Sequence, residues 1–305
     1  MLRNDSEGRL RAPWRLLLAI ALVALATVGA QSLVVALVAP SVGGDPGAAV
    51  TVVAVGLGIT VAVLVAGVAL DRRRLTDFGF HFGRQWWIDL VAGLALGAGL
   101  MTLIFLFELA VGWVRVVGTF RADGPFLAAV APFVAVFVVV GVYEELLVRG
   151  YLLRNLAEGL AGPVGDRGAV ALAVLGSSAI FGALHLGNPN ATPVSALGIT
   201  AAGVMLAAAY VATGELAVPM GLHVTWNAFQ GLVYGFPVSG LPIEASVVAV
   251  EQTGPPVATG GAFGPEAGLV GLGAVAAGTA GVVAYVRWRD GSVRVRDVTT
   301  PDLRR

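Results

Sequence analysis

Eight long stretches almost free of charge dominate this sequence: Trp14–Ala39, Ala48–Leu70, Leu90–Phe107, Phe126–Tyr143, Gly168–Leu184, Ala191–Gly214, Leu216–Gly235 and Ala267–Val286. A helix needs about 20 apolar residues to cross roughly 30 Å of hydrocarbon. Runs of that kind, repeated along one chain, are the signature of membrane spans. They are apolar on all sides and lack the polar stripe of a helix that faces water. In lipid each backbone polar group must find its partner inside the structure, so stretches this long are helical. The expectation is an all-α, polytopic transmembrane bundle of about eight spanning helices.

Composition fits that reading. Of 305 residues, 57% are hydrophobic and only 12% charged, against about 25% charged in a typical soluble chain. With no cysteine there is no disulfide framework, no Cys zinc site and no thiol nucleophile. A formal net charge of zero offers no bulk attraction for nucleic acid.

The basic residues, all arginine, sort by side. Arg3, Arg9, Arg11 and Arg15, then Arg72, Arg73, Arg74 and Arg84, then Arg149, Arg154 and Arg167 fall on one side of the spans. The tail adds Arg287, Arg289, Arg294, Arg296, Arg304 and Arg305, and only Arg115 and Arg121 fall on the other side. Positive charge stays inside, so both termini are expected in the cytoplasm of a multi-pass cell-membrane protein. The loop Phe236–Glu266, acidic and without arginine, is then outside. The first apolar stretch is too long for a signal peptide and reads as a retained helix. The segment Asp71–Trp87 reads as a short amphipathic piece on the inner surface, with His81 solvated, and the basic tail as a solvated flank.

An ionisable group at membrane depth is a functional hypothesis by default, because burying it is costly. Three constellations qualify. In Tyr143-Glu144-Glu145-Leu146-Leu147-Val148-Arg149, Glu145 and Arg149 share a helix face in the favourable order for an ion pair. Glu144 points about 100° away and is left free for chemistry. Phe181 and His185 share a face, with Ser178 nearly on it. His223 and Asn227 share another, extended by Gln230 and Tyr234. Each alone also suits a structural role: an ordinary helix end, a histidine bonded to the Asn188–Asn190 turn, or hydrogen bonding between helices. Together they make a hydrolytic set. A glutamate takes a proton from water, a histidine shares or passes it on, and a histidine with an asparagine amide donates to an oxyanion. No G-x-S-x-G serine motif is present.

Glu144-Glu145-x-x-x-Arg149, Phe181-x-x-x-His185 and His223-x-x-x-Asn227, in that order, resemble the CPBP (Abi) intramembrane proteases, which include the CAAX prenyl endopeptidases. The resemblance covers about Phe126–Gly235. It divides the chain into helices 1–3 with a basic inner loop (1–125), a CPBP-like catalytic helix core (126–235), and an outer loop, last helix and basic cytoplasmic tail (236–305). It implies a glutamate-dependent endopeptidase acting on a membrane-embedded or lipidated peptide. Glu144 and His185 would activate water and His223 and Asn227 form the oxyanion site, with Glu145, Arg149 and Phe181 in support. Such proteins also carry a metalloprotease label. No H-E-x-x-H motif occurs, so a metal-free mechanism is preferred, with a His₂Glu zinc site of Glu144, His185 and His223 as the other option. The competing functions are a proton-coupled transporter and a catalytically silent scaffold or bacteriocin-immunity protein.

One geometric conflict stands out. With an inner loop from Glu144 to Arg167, the 17 residues from Gly168 lift His185 about 26 Å from Glu144's end of the bundle. The two meet only if helix four continues through Leu146–Leu153, or if helix five starts deeper or bends near Gly176.

Overall fold

Each of the eight apolar stretches is helical in the structure, a computed structural model that describes residues 2–4, 7–42 and 47–304. Arg305 lies outside the described residues. The elements that position the site are α1 (Ala12–Leu37), α2 (Ala48–Ala69), α3 (Arg84–Ala110), β1 (Val114–Arg121) and α4 (Phe126–Glu145). They are followed by α5 (Arg154–Leu184), α6 (Pro193–Thr213), α7 (Ala217–Ala228), β2 (Ser246–Gln252) and α8 (Leu269–Asp290). The fold is mostly helical. Large apolar side chains such as Leu17, Ile20, Leu25, Val61 and Leu103 point out of the bundle, as they do where the surroundings are lipid.

Among the described residues, six helical stretches are long and apolar enough to cross a membrane. The difference from eight has two physical causes. Two of the expected spans belong to one helical stretch, Phe126–Gly187. And α7 runs for only 12 residues before widening into a π-turn at Phe229–Val233.

The expected inner loop between Glu144 and Arg167 is not a loop. Helix α4 passes through a π-helical segment, Leu146–Leu153, straight into α5. The chain breaks only at Gly165, whose φ of 71° and ψ of 162° are non-helical. Glycine alone adopts that conformation cheaply. Beyond it the helix folds back: Phe181 reaches Arg149, and Val148 shares a core cluster with Phe181. The bend is thus at Gly165 and not near Gly176.

Close helix contacts are made over small residues, the usual means of packing in lipid. Cβ atoms on Gly93, Gly97 or Gly221 would run into the facing backbone of α7 or α3. A Cβ on Gly182 would strike the Ala196 carbonyl and Thr200 of α6. Thr225 Oγ1 also donates across to the Leu94 carbonyl at 2.8 Å. Helix α6 opens on a reciprocal cap between Thr192 and Ser195, which fixes where the short turn after His185 ends.

The segment after α2 is only in part the surface piece expected from sequence: Arg74, Leu75 and residues 81–85 are exposed, but its other side carries a buried charged cluster. Asp71, Arg73, Asp77 and Phe78 are buried. Arg73 bridges Asp77 and Glu158, Arg154 pairs with Asp77, and Arg15 pairs with Asp71 at 2.9 Å and Glu158 at 3.0 Å. The tail is not simply solvated either. Val298 is fully buried, and the Asp302 N–H donates to Asp77 Oδ1 at 3.0 Å. His81 is half-exposed and lies 2.7 Å from Glu215. On the opposite side, β1 and β2 pair antiparallel, with a register shift between Val116 and Gly118.

Candidate functional site

Glu144 and Glu145 close α4, immediately before the helix widens. Such π-turns re-aim side chains and recur at functional sites. Glu145 is fully buried, and its Oε1 accepts hydrogen bonds from Arg149 Nη1 and from His223 Nδ1, each 2.8 Å. The expected Glu145–Arg149 pair therefore forms and takes in a third member. Arg149 Nη2 donates to the Gly203 carbonyl of α6 at 3.1 Å, and its guanidinium lies 4.6 Å from the Phe181 ring centroid. A buried charge pair persists only with such additional partners.

Glu144 points elsewhere. Its Oε1 accepts from Tyr143 Oη at 3.0 Å. Its Oε2 has no hydrogen-bond partner among the described residues and lies 3.8 Å from His223 Nε2. Each nitrogen of His223 thus faces a different glutamate.

His185 Nδ1 lies 2.7 Å from the Phe181 carbonyl, which can only accept, so Nε2 is the nitrogen left for chemistry. His185 meets the Asn188–Asn190 turn through its backbone, its carbonyl accepting from Asn188 N–H at 3.1 Å, while the Asn188 and Asn190 side chains reach Ser239 and Gly240. His185 makes no ion-pair contact with either glutamate, both such contacts falling to His223. Phe181 stands between the histidines, its ring centroid 4.7 Å from that of His185 and 6.1 Å from that of His223.

His185, His223 and Asn227 line one cavity of about 40 Å³. The Asn227 amide makes no hydrogen bond among the described residues and is free to donate into it. Phe181, Met205, Leu222 and Trp226 supply an apolar wall, and Ser239 and Glu266 complete the lining. Glu144 stands beside His223, outside the lining itself. Ser178 is packed against Gly203 and takes no part. Tyr234 leaves the polar stripe to bond Thr102 at 2.9 Å.

Sequence reasoning missed Tyr143, Ser239 and Glu266. The last carried a signal: Gln230 continues the polar stripe of α7 and needs a partner, and Glu266 abuts an apolar stretch. Gln230 Nε2 donates to Glu266 Oε2 at 2.5 Å.

The zinc set Glu144, His185 and His223 does not assemble. Among the described residues no three His, Asp or Glu side chains are arranged to hold a metal ion.

A bundle of long apolar helices with carboxylates, histidines and an amide gathered at its centre defines a multi-pass membrane protein with a buried polar site. Residues 126–229 match the family described as Type II CAAX prenyl endopeptidase Rce1-like, the family that the three motifs resemble. The matched segment runs from α4 into the turn after α7 and contains Glu144, Glu145, Arg149, Phe181, His185, His223 and Asn227. No curated protein and no solved structure matches the chain. The centre of this membrane protein is thus similar to a protease family.

Proposed function

We propose that this protein is an intramembrane endopeptidase that hydrolyses a peptide bond of a membrane-associated substrate, without a metal. The observation that carries this reading is the set Glu144, Glu145 and His223, with Asn227 and His185 on one cavity, inside the matched segment.

Glu144 Oε2, with no hydrogen-bond partner among the described residues, accepts a proton from water as the water oxygen attacks the scissile carbonyl carbon. Tyr143 holds the other oxygen and fixes the direction of the free one. His223, its Nδ1–H given to Glu145, donates as imidazolium from Nε2 to the oxyanion, and the Asn227 amide is the second donor. Each donor of that kind supplies about 2.7–4 kcal/mol in a dry site. His185 Nε2 relays a proton to the leaving amine, which completes cleavage. The apolar wall suits an apolar substrate side chain beside the cleaved bond. A prenylated or otherwise lipidated C-terminal peptide is the substrate class that the family's description suggests.

With each of the eight helical stretches taken as a crossing, both termini lie on one side, and the arginine excess there supports the cytoplasm as that side. The charged cluster then lies at the inner rim, and the segment 236–266 covers the outer side of the cavity.

The test is Glu144→Gln in proteoliposomes with a fluorogenic membrane-anchored peptide. Cleavage should be lost while thermal unfolding in detergent is unchanged. Wild-type turnover in that variant would overturn the mechanism.

A further inference from the structure

The segment that follows the matched region folds back over the site. Gly240 N–H donates to the Phe263 carbonyl at 2.7 Å, and Asn188 Nδ2 donates to the Ser239 carbonyl at 3.0 Å. Phe263 is buried in the same cluster as Phe181, Val148 and Ile199. At the centre of this cover, Glu266 sits almost wholly buried. Its Oε1 accepts from Ser239 N–H at 2.5 Å, and its Oε2 accepts from the Gln230 amide at 2.5 Å. Ser239 and Glu266 both line the cavity, and Gln230 follows Asn227 by three residues.

A site needs at least about 10–15 Å³ to hold one water, so this partly open cavity of about 40 Å³ has room for a few waters, and the cover closes one side of it. Helices α5, α6 and α7 form three of the walls, packed through backbone contacts at glycine. The cover turns at Gly240, Gly260 and Gly264, all at positive φ, and a Cβ on any of them would also meet facing backbone. It is joined to α7's extension through Gln230, whose amide donates to the Pro237 carbonyl and to Glu266 and whose carbonyl accepts from Phe236 N–H.

We propose that Glu266 is a positioning residue of the site: it pins Ser239 and Gln230 together and so holds segment 236–266 in place as the outer wall of the cavity. The proposal rests on the peptidase reading for its purpose, but its test needs no turnover.

The chain has no cysteine, so Met205→Cys places a single thiol in the cavity, where Met205 is buried. A small water-soluble maleimide then reports opening in detergent-purified protein. Glu266→Ala removes the hydrogen bonds from Ser239 N–H, Ser239 Oγ and Gln230, and labelling should accelerate by roughly tenfold or more. Glu266→Gln keeps an acceptor oxygen for Ser239 N–H and should label at a rate between the parent and Glu266→Ala. Parent-like labelling in Glu266→Ala, or Glu266→Gln as fast as Glu266→Ala, would overturn the proposal. If Glu266→Ala does not fold, Gln230→Ala, which loses the Gln230 bonds to Glu266 and to the Pro237 carbonyl, serves instead. It should label faster than the parent, and a parent rate sinks the idea. Because labelling is independent of cleavage, this result stands whatever Glu144→Gln does.

Discussion

The Arg149 guanidinium lies 4.6 Å from the ring centroid of Phe181, although 32 residues separate them in a stretch that is helical almost throughout. That contact requires the chain to double back between them, and Gly165 is where it does. Gly165 comes 21 residues after Glu144 and 20 before His185. The two arms rise equally at about 1.5 Å per residue, so Glu144 and His185 arrive at the same level. The depth conflict of the sequence disappears once the turn is moved from Glu144 to Gly165.

Gly165→Val tests this directly. A β-branched residue at φ 71° costs about 1–3 kcal/mol of backbone strain. The variant should unfold at lower temperature in detergent and lose turnover in proportion to the misaligned fraction. Unchanged melting and turnover would mean that the reversal does not depend on this glycine.

Arg149→Met leaves Glu145 buried against His223 alone. Removing one partner of a buried pair costs about 3–5 kcal/mol, mostly because the other charge stays behind unpaired. Adding Glu145→Gln should recover part of the loss. A double-mutant cycle on unfolding free energies measures the coupling, and additive losses would argue against a shared network.

The spans were readable because lipid leaves a chain so few options. The motifs were readable because charge at that depth is too costly to be incidental. What escaped was the partnering of charges outside the spans. Arg149, Arg154, Glu158, Asp166 and Arg167 look like a solvated loop in sequence. In three dimensions Glu158 meets Arg9, Arg15 and Arg73, from helices and strands far along the chain. Local patterning carries no record of such pairs, so the helix there was read as a loop. Gly162-Pro163-Val164-Gly165 did mark the true break, but the surrounding charges masked it. Glu266 escaped for the same reason: its partners, Ser239 and Gln230, are 27 and 36 residues away.

The proposed orientation has its own test. With no native cysteine, Asp123→Cys before α4 and Val293→Cys after α8 carry single exposed thiols. A membrane-impermeant reagent applied to intact cells should label Asp123→Cys, and Val293→Cys only after permeabilisation. The reverse pattern would invert the topology and put the cover of the cavity in the cytoplasm.

The cover should also respond to pH, with a definite sign. Burial pushes the Glu266 carboxyl up from its usual 4.5 to about 7, against the opposing pull of hydrogen bonds from the backbone and Gln230. A group whose pKa is raised in one state stabilises that state below its ordinary value, and loses that contribution as pH climbs through the raised value. The closed cover is therefore most favoured below about pH 4.5 and weakens as Glu266 ionises near 7. The other titratable groups lining the cavity are His185 and His223. The flanking stretches of α6 and α8, Pro193–Gly203 and Leu269–Val275, carry no ionisable side chain. Labelling of Met205→Cys, corrected for thiolate fraction with a free-thiol reference, should accelerate between about pH 4.5 and 7 and level off above that. In Glu266→Gln, which stays neutral across that range, the corrected rate should be flat. An equal acceleration in that variant would assign the pH response to the histidines and remove Glu266 from it.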